Sequence, residues 1–506
     1  MRACFLVSSF TALALVAACS SDQFTAADSK DSGTGGAAGS SGAAGADGGV
    51  AGSGGGGGTG GTAGSAGTGG GAGTAGSAGT AGAAGSDGGP PDSGVTCEDQ
   101  KPDAATMVTV APSGTDGASC GAPGSPCKTI KQGLAVTAAS STKNTVVVAA
   151  ANYAEDGLVV PAGVTLQGGW TYESQWQHLC TADALTKTIV RPATDNATFR
   201  LVDLGGTARI ETLSIQSRSS AAKTGESLYG VFATGATTKV VLDHVSITLA
   251  NAGGGSNGST GSGGGNPVSI CTPAGGTNGQ NGSAGGGAPK GSYTAAGYQP
   301  ASGASGGTAT AGQNGTPGGA HTCQPCSVPK GSPCGCGSSI ADSCGQDGKP
   351  GCGGGPGGPG GPGTGGGSAI GVFLWDADLT ILDSSVKSGN GGKGGSGASG
   401  GTGATGSAGA LGNLGFECLY CSMTPPPTPI CVGAPHQGSG GTPGGKGGTG
   451  GTGGPGGGGA GGDSYAVYKG GSASATVTTT TLTPGSAGPA GGGTQPGAAG
   501  TAAAQN

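Results

Sequence analysis

The chain has 506 residues, a formal net charge of −6 and glycine at 125 positions. Aromatic residues supply 4% and charged residues 9%, against about 25% charge in an ordinary globular chain. The core is therefore small for the length, which excludes several independent domains. No basic cluster is present, so a phosphate-tracking nucleic-acid surface is excluded as well.

Residues 1–18 read as an export signal, with Arg2 as the positive start and an apolar stretch from Phe5 to Ala18. That stretch is too short for a spanning helix of about 20 residues. Val16-Ala17-Ala18-Cys19 resembles the bacterial lipoprotein lipobox, which implies lipidation at Cys19 and attachment to a membrane. Ser20 in the next position is similar to an outer-membrane sorting signal. An ordinary secretory signal with an incidental Cys is the alternative.

Residues 19–96 are a tether of Gly, Ala, Ser and Thr. Every third residue from Gly52 to Gly88 is glycine, a period that fits an extended three-residue helix. Disordered spacer is the other reading, so the tether is expected to be disordered or extended.

Residues 97–250 carry the best-ordered sequence. Val108-Thr109-Val110 opens a strand, Cys120 and Cys127 bracket a Gly- and Pro-rich loop that they staple, and Ile130, Leu134 and Val136 to Ala139 predict a short helix. Short apolar runs with Gly and Pro corners follow over 144–170, the signature of an all-β solenoid or sandwich. The order SGTDG…GSPCKTI, then VVVA…NY, then VPAGVTLQGGW resembles the start of right-handed parallel β-helix proteins of the pectin-lyase-like superfamily. The resemblance implies that the first loop and helix cap one end of a short coil. It extends to isolated turns at 368–388 and 464–484, and it implies little about function.

Three copies of one stretch support a coil independently of that resemblance: SLYGVFATGATTKVVLDHVSI at 227–247, SAIGVFLWDADLTILDSSV at 368–386 and SYAVYKGGSASATVTTTTL at 464–482. Ile210, Leu213 and Ile215, then Val240, Leu242, Val245 and Ile247, are the inward positions. Asp243 and Asp383 are read as one repeat position, a turn-capping corner.

Glycine-rich insertions separate the copies. In 389–463 glycine recurs at every third residue from Gly391 to Gly415 and again from Gly438 to Gly462, two equal legs of a hairpin. Each leg would reach roughly 78 Å at about 3.1 Å per residue. The insertion at 251–367 repeats the scheme, with outward triplets at Gly255–Gly264, Gly276–Gly285 and Gly312–Gly318 and a return from Gly345 to Gly366. An intramolecular bundle bonded backbone to backbone is favoured over a collagen trimer, because most legs lack proline, and full disorder of the legs is the other reading, since ordering glycine is entropically expensive. Residues 485–506 form a Gly- and Ala-rich tail.

Cys97, Cys120, Cys127, Cys180, Cys271, Cys323, Cys326, Cys334, Cys336, Cys344, Cys352, Cys418, Cys421 and Cys431 form an even set in an exported chain, which reads as a disulfide framework. The CxxC pairs 323/326 and 418/421 have zinc-knuckle spacing, but export favours disulfides, and neither a metal nor a cofactor is expected. The enzyme candidates on a β-helix are Asp243, Asp376, Asp378 and Asp383 with Arg191, Arg200 and Arg209, yet no carboxylate pair at motif spacing is legible and no catalytic residue is assigned. His178, His244, His321 and His436 are dispersed. Trp170 and Trp176 are expected in the core, and Trp375 is the one candidate glycan contact. The expectation is a non-enzymatic, lipid-anchored protein of the cell surface or outer membrane, structural or adhesive, with polysaccharide or matrix proteins as partners. A polysaccharide lyase or hydrolase on the same scaffold is the alternative.

Overall fold

A computed structural model of the protein describes residues 100–172, 175–179, 184–324, 343–415 and 438–506. The described chain is all-β with two short helices. Its elements run β1 (Met107–Val110), α1 (Ile130–Ala138), β2 (Thr145–Ala149), β3 (Asn152–Ala154), β4 (Thr165–Thr171), β5 (Gln177–His178), α2 (Ala184–Lys187), β6 (Ile189–Arg191), β7 (Ala197–Val202), β8 (Thr207–Gln216), β9 (Leu228–Thr234) and β10 (Lys239–Thr248). There follow β11 (Ser292–Thr294), β12 (Gly297–Gln299), β13 (Cys323–Gln324), β14 (Ser343–Cys344), β15 (Ala369–Trp375), β16 (Asp378–Leu382), β17 (Ser385–Lys387), β18 (Ser464–Gly470), β19 (Ser474–Thr478), β20 (Thr481–Thr483) and β21 (Ala502–Gln505).

Two sheets dominate. The first runs β1-β2-β4-β8-β10-β16-β19, with β17 and β20 continuing the row beside β10, and the second runs β7-β9-β15-β18-β21. The pairings along both paths are parallel. The three sequence copies stack in register: Val231, Val372 and Val467 are partners in the second sheet, and Leu242, Ile381 and Val477 in the first. Period-two patterning decides which side chains point inward. Ile210, Leu213, Ile215, Leu242, Val245, Ile247, Val372 and Leu374 are fully buried in one core cluster, and Val240 nearly so. At about 1.5–3 kcal/mol per buried Val, Leu or Ile, this stack is the main apolar stabilisation in a chain with few such residues.

One end of the stack is closed by α1, whose Ile130 and Leu134 bury against β1 and β2. Carboxylates hold its N-terminus. Asp116 accepts the N–H of Lys128 and Thr129, while Glu155 accepts those of Ile130 and Lys131 at 2.8 and 2.9 Å, an anion placed at the positive end of the helix. The expected Cys120–Cys127 disulfide forms in the preceding loop.

Strands meet at corners that need left-handed backbone. Thr212, His244, Asp383 and Thr479 have φ of 51°, 49°, 44° and 47° and follow one another from turn to turn, next to the register pairs that join β8, β10, β16 and β19. A second ladder at the end of the other sheet holds Asp203, Gly235, Asp376 and Gly471. The sequence reading of Asp243 and Asp383 as one position is thereby corrected: Asp243 pairs with Leu382, and Asp383 follows in the place of His244. The inward position goes to Ile381, fully buried, and that sets the register one residue away from the shared Leu-Asp dipeptide.

The glycine-rich segments lie side by side, bonded backbone to backbone. Leg 391–415 runs antiparallel to leg 438–462, with bonds such as Gly447 N–H to Ser407 O and Gly456 N–H to Ala398 O. Leg 345–367 runs parallel to 438–462, from Gly351 to Gly445 O through Gly366 to Ala460 O. Segment 276–285, read from sequence as outward, runs the other way. It is parallel to the returning leg through bonds from Gly279, Gly282 and Gly285 to Thr449, Thr452 and Pro455. The reversal brings β11 and β12 back beside the second sheet. Leg 438–462 bonds in turn to 279–288, 301–319, 345–367, 391–415, 488–491 and 495–498, so the tail joins the array before β21 pairs with β18.

Candidate functional site

Three places gather side chains with chemistry, and the first is the join between sheets and glycine legs. Register across the second sheet puts Arg200, Phe232, Phe373 and Tyr468 in one row. The Arg200 guanidinium sits 4.4 Å over the Phe232 ring. Phe232 stacks on Phe373 at 4.8 Å, Phe373 on Tyr468 at 5.5 Å, and Tyr293 of β11 on Tyr468 at 3.8 Å. The Tyr293 hydroxyl donates to Asp463 Oδ2 at 2.5 Å, and the Thr501 N–H donates to the other carboxylate oxygen. The Tyr298 N–H donates to the Tyr229 hydroxyl at 2.9 Å, and its own hydroxyl to Gly461 O. Burial, reinforced by the Asp463 charge, pushes Tyr298 up to about 12 and Tyr293 further. Glycine legs and sheet are thus tied through one aromatic, hydrogen-bonded seam. Sequence reasoning missed it; the signal is Tyr293 and Tyr298 within six residues of each other in a stretch otherwise poor in aromatics.

The second place is the outer face of the first sheet, where Gln167, Glu211, Asp243 and Leu382 share one row and Thr165, Arg209, Val241 and Thr380 the next. Arg209 pairs with Glu211 and, at 2.5 Å, with Asp243. Burial works against its charge, but hydrogen bonds and charge from Glu211 and Asp243 outweigh this and raise the guanidinium above its ordinary value. Asp243 also holds His244 Nδ1 at 2.7 Å. The ligand atoms of Asp243, His244 and Asp383 lie within 4.8 Å of one another. His178 stands 4.9 Å from Trp170, and neither of its ring nitrogens has a partner among the described residues. Burial lowers it, against the pull of Glu211. Glu211 and Asp243 converge on one guanidinium, and the Arg209–Asp243 pair ties β8 to β10.

The remaining enzyme candidates are spread apart. Asp376 and Asp378 cap and cross-link the next turn by accepting from Ser472 and Ser474, Arg200 packs on Phe232, and Arg191 ends β6. Trp375 ends β15 half-buried, its ring lying over Gly470 of the neighbouring strand. Trp170 and Trp176 are buried, as expected.

The third place is the cysteines. Cys120–Cys127, Cys271–Cys352 and Cys323–Cys344 are disulfides. Cys19, Cys97, Cys180, Cys326, Cys334, Cys336, Cys418, Cys421 and Cys431 lie outside the described residues. His321, Cys323 and Cys344 converge, but both sulfurs are spent in the disulfide and His321 is held by Asp347. Among the described residues no helix is long and apolar enough to cross a membrane. The chain matches no protein-family model, no curated protein and no solved structure.

Proposed function

We propose that the chain is a lipid-anchored, non-enzymatic protein of the cell surface or outer membrane, structural or adhesive in role. Its stacked turns make a short right-handed parallel β-helix of the pectin-lyase-like kind, and the turns carry a bundle of extended glycine legs. The observation that supports this most is the aromatic seam around Tyr293, Tyr298 and Asp463. A loose insertion needs no such attachment, whereas a stiff display element does. The Arg209-centred cluster supports the same reading, since both of its carboxylates are engaged by Arg209, Glu211 within β8 and Asp243 across from β10. Cys19 is the residue for the anchor, and polysaccharide or surface-matrix protein is the partner class, with Trp375 as the sugar-stacking candidate.

Two measurements test the proposal. Metabolic labelling with a fatty acid should mark the chain and lose the mark in Cys19→Ser. A chain lacking residues 1–19 should bind members of a glycan array or matrix-protein panel without releasing products from polysaccharides. Product release would replace this reading with the lyase or hydrolase alternative, and silence on every binding panel would remove the adhesive role.

A further inference from the structure

One groove of the glycine array is filled over only part of its length. Legs 391–415 and 438–462 are its two walls, and the C-terminal tail lies in its first part. Gly391, Gly394 and Gly397 N–H donate to Ser486, Pro489 and Gly492 O, while Gly488 and Gly491 N–H donate to Gly462 and Gly459 O. The tail glycines thus donate to one wall, and the residue after each glycine accepts from the other. Gly488 and Gly491 are buried, and a Cβ added to either would run into the backbone carbonyl of Gly392 or Gly395. Pro489 is exposed and loses nothing by lacking an N–H, since only its carbonyl is used. The groove therefore selects one feature of a strand, glycine at every third residue.

At Gly493, φ 144°, the tail turns out of the groove and returns as 495–498 beside Gly458 and Gly461. The walls go on. The N–H groups of Gly400, Gly403, Gly406 and Gly409 continue the donor row, and the carbonyls of Gly456, Gly453, Gly450 and Gly447 continue the acceptor row. None of these eight groups has a hydrogen-bond partner among the described residues. The cross-section is unchanged beyond the turn: a Cβ on Gly400, Gly403 or Gly406 meets the carbonyl of Gly453, Gly450 or Gly447, just as one on Gly391 or Gly394 meets that of Gly462 or Gly459. The adjacent row is finished differently. Its Gly461 and Gly458 N–H groups donate to the returning tail, Pro455 has none, and those of Thr452 and Thr449 are taken by the Asn281 and Asn278 side chains. The open rows have no such closure, and facing rows of unpaired backbone donors and acceptors are a template for one more strand.

We propose that the groove between Gly400–Gly409 and Gly447–Gly456 is a docking slot for an extended strand of another polypeptide chain with glycine at every third residue. The strand follows on from Gly493, parallel to leg 391–415, and pairs with both open rows over about four triplets. The seated tail gives the chemistry of the occupant: glycine where the strand meets the walls, and any residue, proline included, in the place of Pro489. The tail itself supplies no further triplet here, because beyond Gly493 it is committed to 495–498 and β21. A polysaccharide does not offer an amide donor and a carbonyl acceptor once per triplet, roughly every 9.3 Å at about 3.1 Å per residue. This goes beyond the surface role above and depends on neither the lipid anchor nor a sugar partner.

The test is hydrogen exchange on the full chain in mild detergent, read at Gly400, Gly403, Gly406 and Gly409, with Gly391, Gly394 and Gly397 under the tail as the internal reference. The probe is a synthetic peptide with the sequence of residues 70–82, GGAGTAGSAGTAG. In the chain alone the four slot amides should exchange at least about tenfold faster than the reference amides, about the factor that one net backbone hydrogen bond supplies. Peptide at millimolar concentration should slow them by about the same factor and leave the reference unchanged. The peptide carrying Gly73→Ala, Gly76→Ala and Gly79→Ala should give no protection, whereas the one carrying Thr74→Pro, Ser77→Pro and Thr80→Pro should protect as the parent does. All substitutions are in the peptide, so the fold of the protein is untouched. Slot amides as slow as the reference in the chain alone would mean that the chain fills its own slot, and this overturns the proposal. So does equal protection by the alanine peptide, no protection by the parent peptide, or protection by an oligosaccharide in place of the peptide.

Discussion

Replacing Gly453 by alanine tests whether the glycine legs are packed or merely drawn together. Gly453 lies in leg 438–462, where an added Cβ would run into the backbone carbonyl of Gly358 on leg 345–367. The separation of these legs is fixed by bonds of 2.9 Å on either side, Gly357 N–H to Gly451 O and Gly360 N–H to Gly454 O. Making room takes a shift on the order of an ångström, which carries both bonds out of the 2.7–3.2 Å range. Leaving two buried backbone pairs unmade costs about 1–3 kcal/mol each, and alanine returns only about 0.4–1 kcal/mol by restricting the unfolded chain. The net expectation is a loss of about 1–5 kcal/mol. At about 2.1 cal/mol/K per residue over the roughly 360 described residues, that lowers Tm by about 1–7 °C. The matched control is Gly263→Ala, an exposed position with nothing within 4 Å of the added carbon, which should gain about 0.4–1 kcal/mol. Calorimetry or a denaturant melt reads both, and hydrogen exchange on 345–367 and 438–462 reads the local loosening. Equal effects from the two substitutions, or exchange on the legs as fast as in a random coil, would refute the packed array.

Other consequences follow from the same structure. Burial raises Tyr229, Tyr293, Tyr298, Tyr465 and Tyr468, with the Asp463 charge adding to Tyr293, Tyr298, Tyr465 and Tyr468. Their folded values lie above the ordinary value of 10.0, so the stability they contribute is complete below pH 10 and is lost as pH rises through the folded values. An ultraviolet titration should therefore show these five forming tyrosinate together with unfolding, and reversible ionisation of all eight tyrosines near the ordinary value with the fold intact would contradict the seam. Removing Cys271–Cys352 as a double alanine variant opens a loop with a sequence separation of 81 and should cost about 4–5 kcal/mol. Removing Cys120–Cys127, with a separation of 7, should cost about 2–2.5 kcal/mol on the same loop-entropy relation, and denaturant melts of the two variants compare them. Thr479→Gly, at φ 47°, should stabilise by about 0.5–1 kcal/mol because a β-branched residue is strained in the left-handed region. Thr478→Gly, in the extended strand beside it, should destabilise by about the same amount.

The strands were legible wherever side chains alternate. Val240, Leu242, Val245 and Ile247 announce their inward face by period two, and the Cys120–Cys127 loop and the helix at 130 announce themselves by composition. What composition hides is direction. A glycine triplet has the same period whether the chain is leaving or returning, so nothing local tells that 276–285 runs parallel to 449–455. The clue sits outside the triplets, in Tyr293 and Tyr298, which have to reach the second sheet and so force a return before residue 292. The Arg209 cluster was hidden for a related reason. Its members come from β4, β8 and β10 and meet only through the register, and a shared Leu-Asp dipeptide suggested a register one residue off.

The two halves of the fold solve one shortage in different ways. With aromatics at 4%, the chain cannot bury every segment behind apolar side chains. The turns therefore take the available Val, Ile and Leu and stack them in register, while the legs do without side chains altogether and satisfy backbone polar groups against each other. Each solution leaves an exposed flank. Between neighbouring legs, side chains supply further acceptors: Asn251, Asn257, Asn278, Asn281 and Asn390 accept N–H groups of Asn390, Ser396, Thr449, Thr452 and Ser486. The corresponding device on the sheets is β21, a strand of Ala and Gln that returns after the last glycine leg and covers β18. Among the described residues β21 in one sheet and β19 and β20 in the other are then the last strands of the stack, with half-buried Ala, Val and Leu in place of the fully buried Val, Ile and Leu of the turns before them.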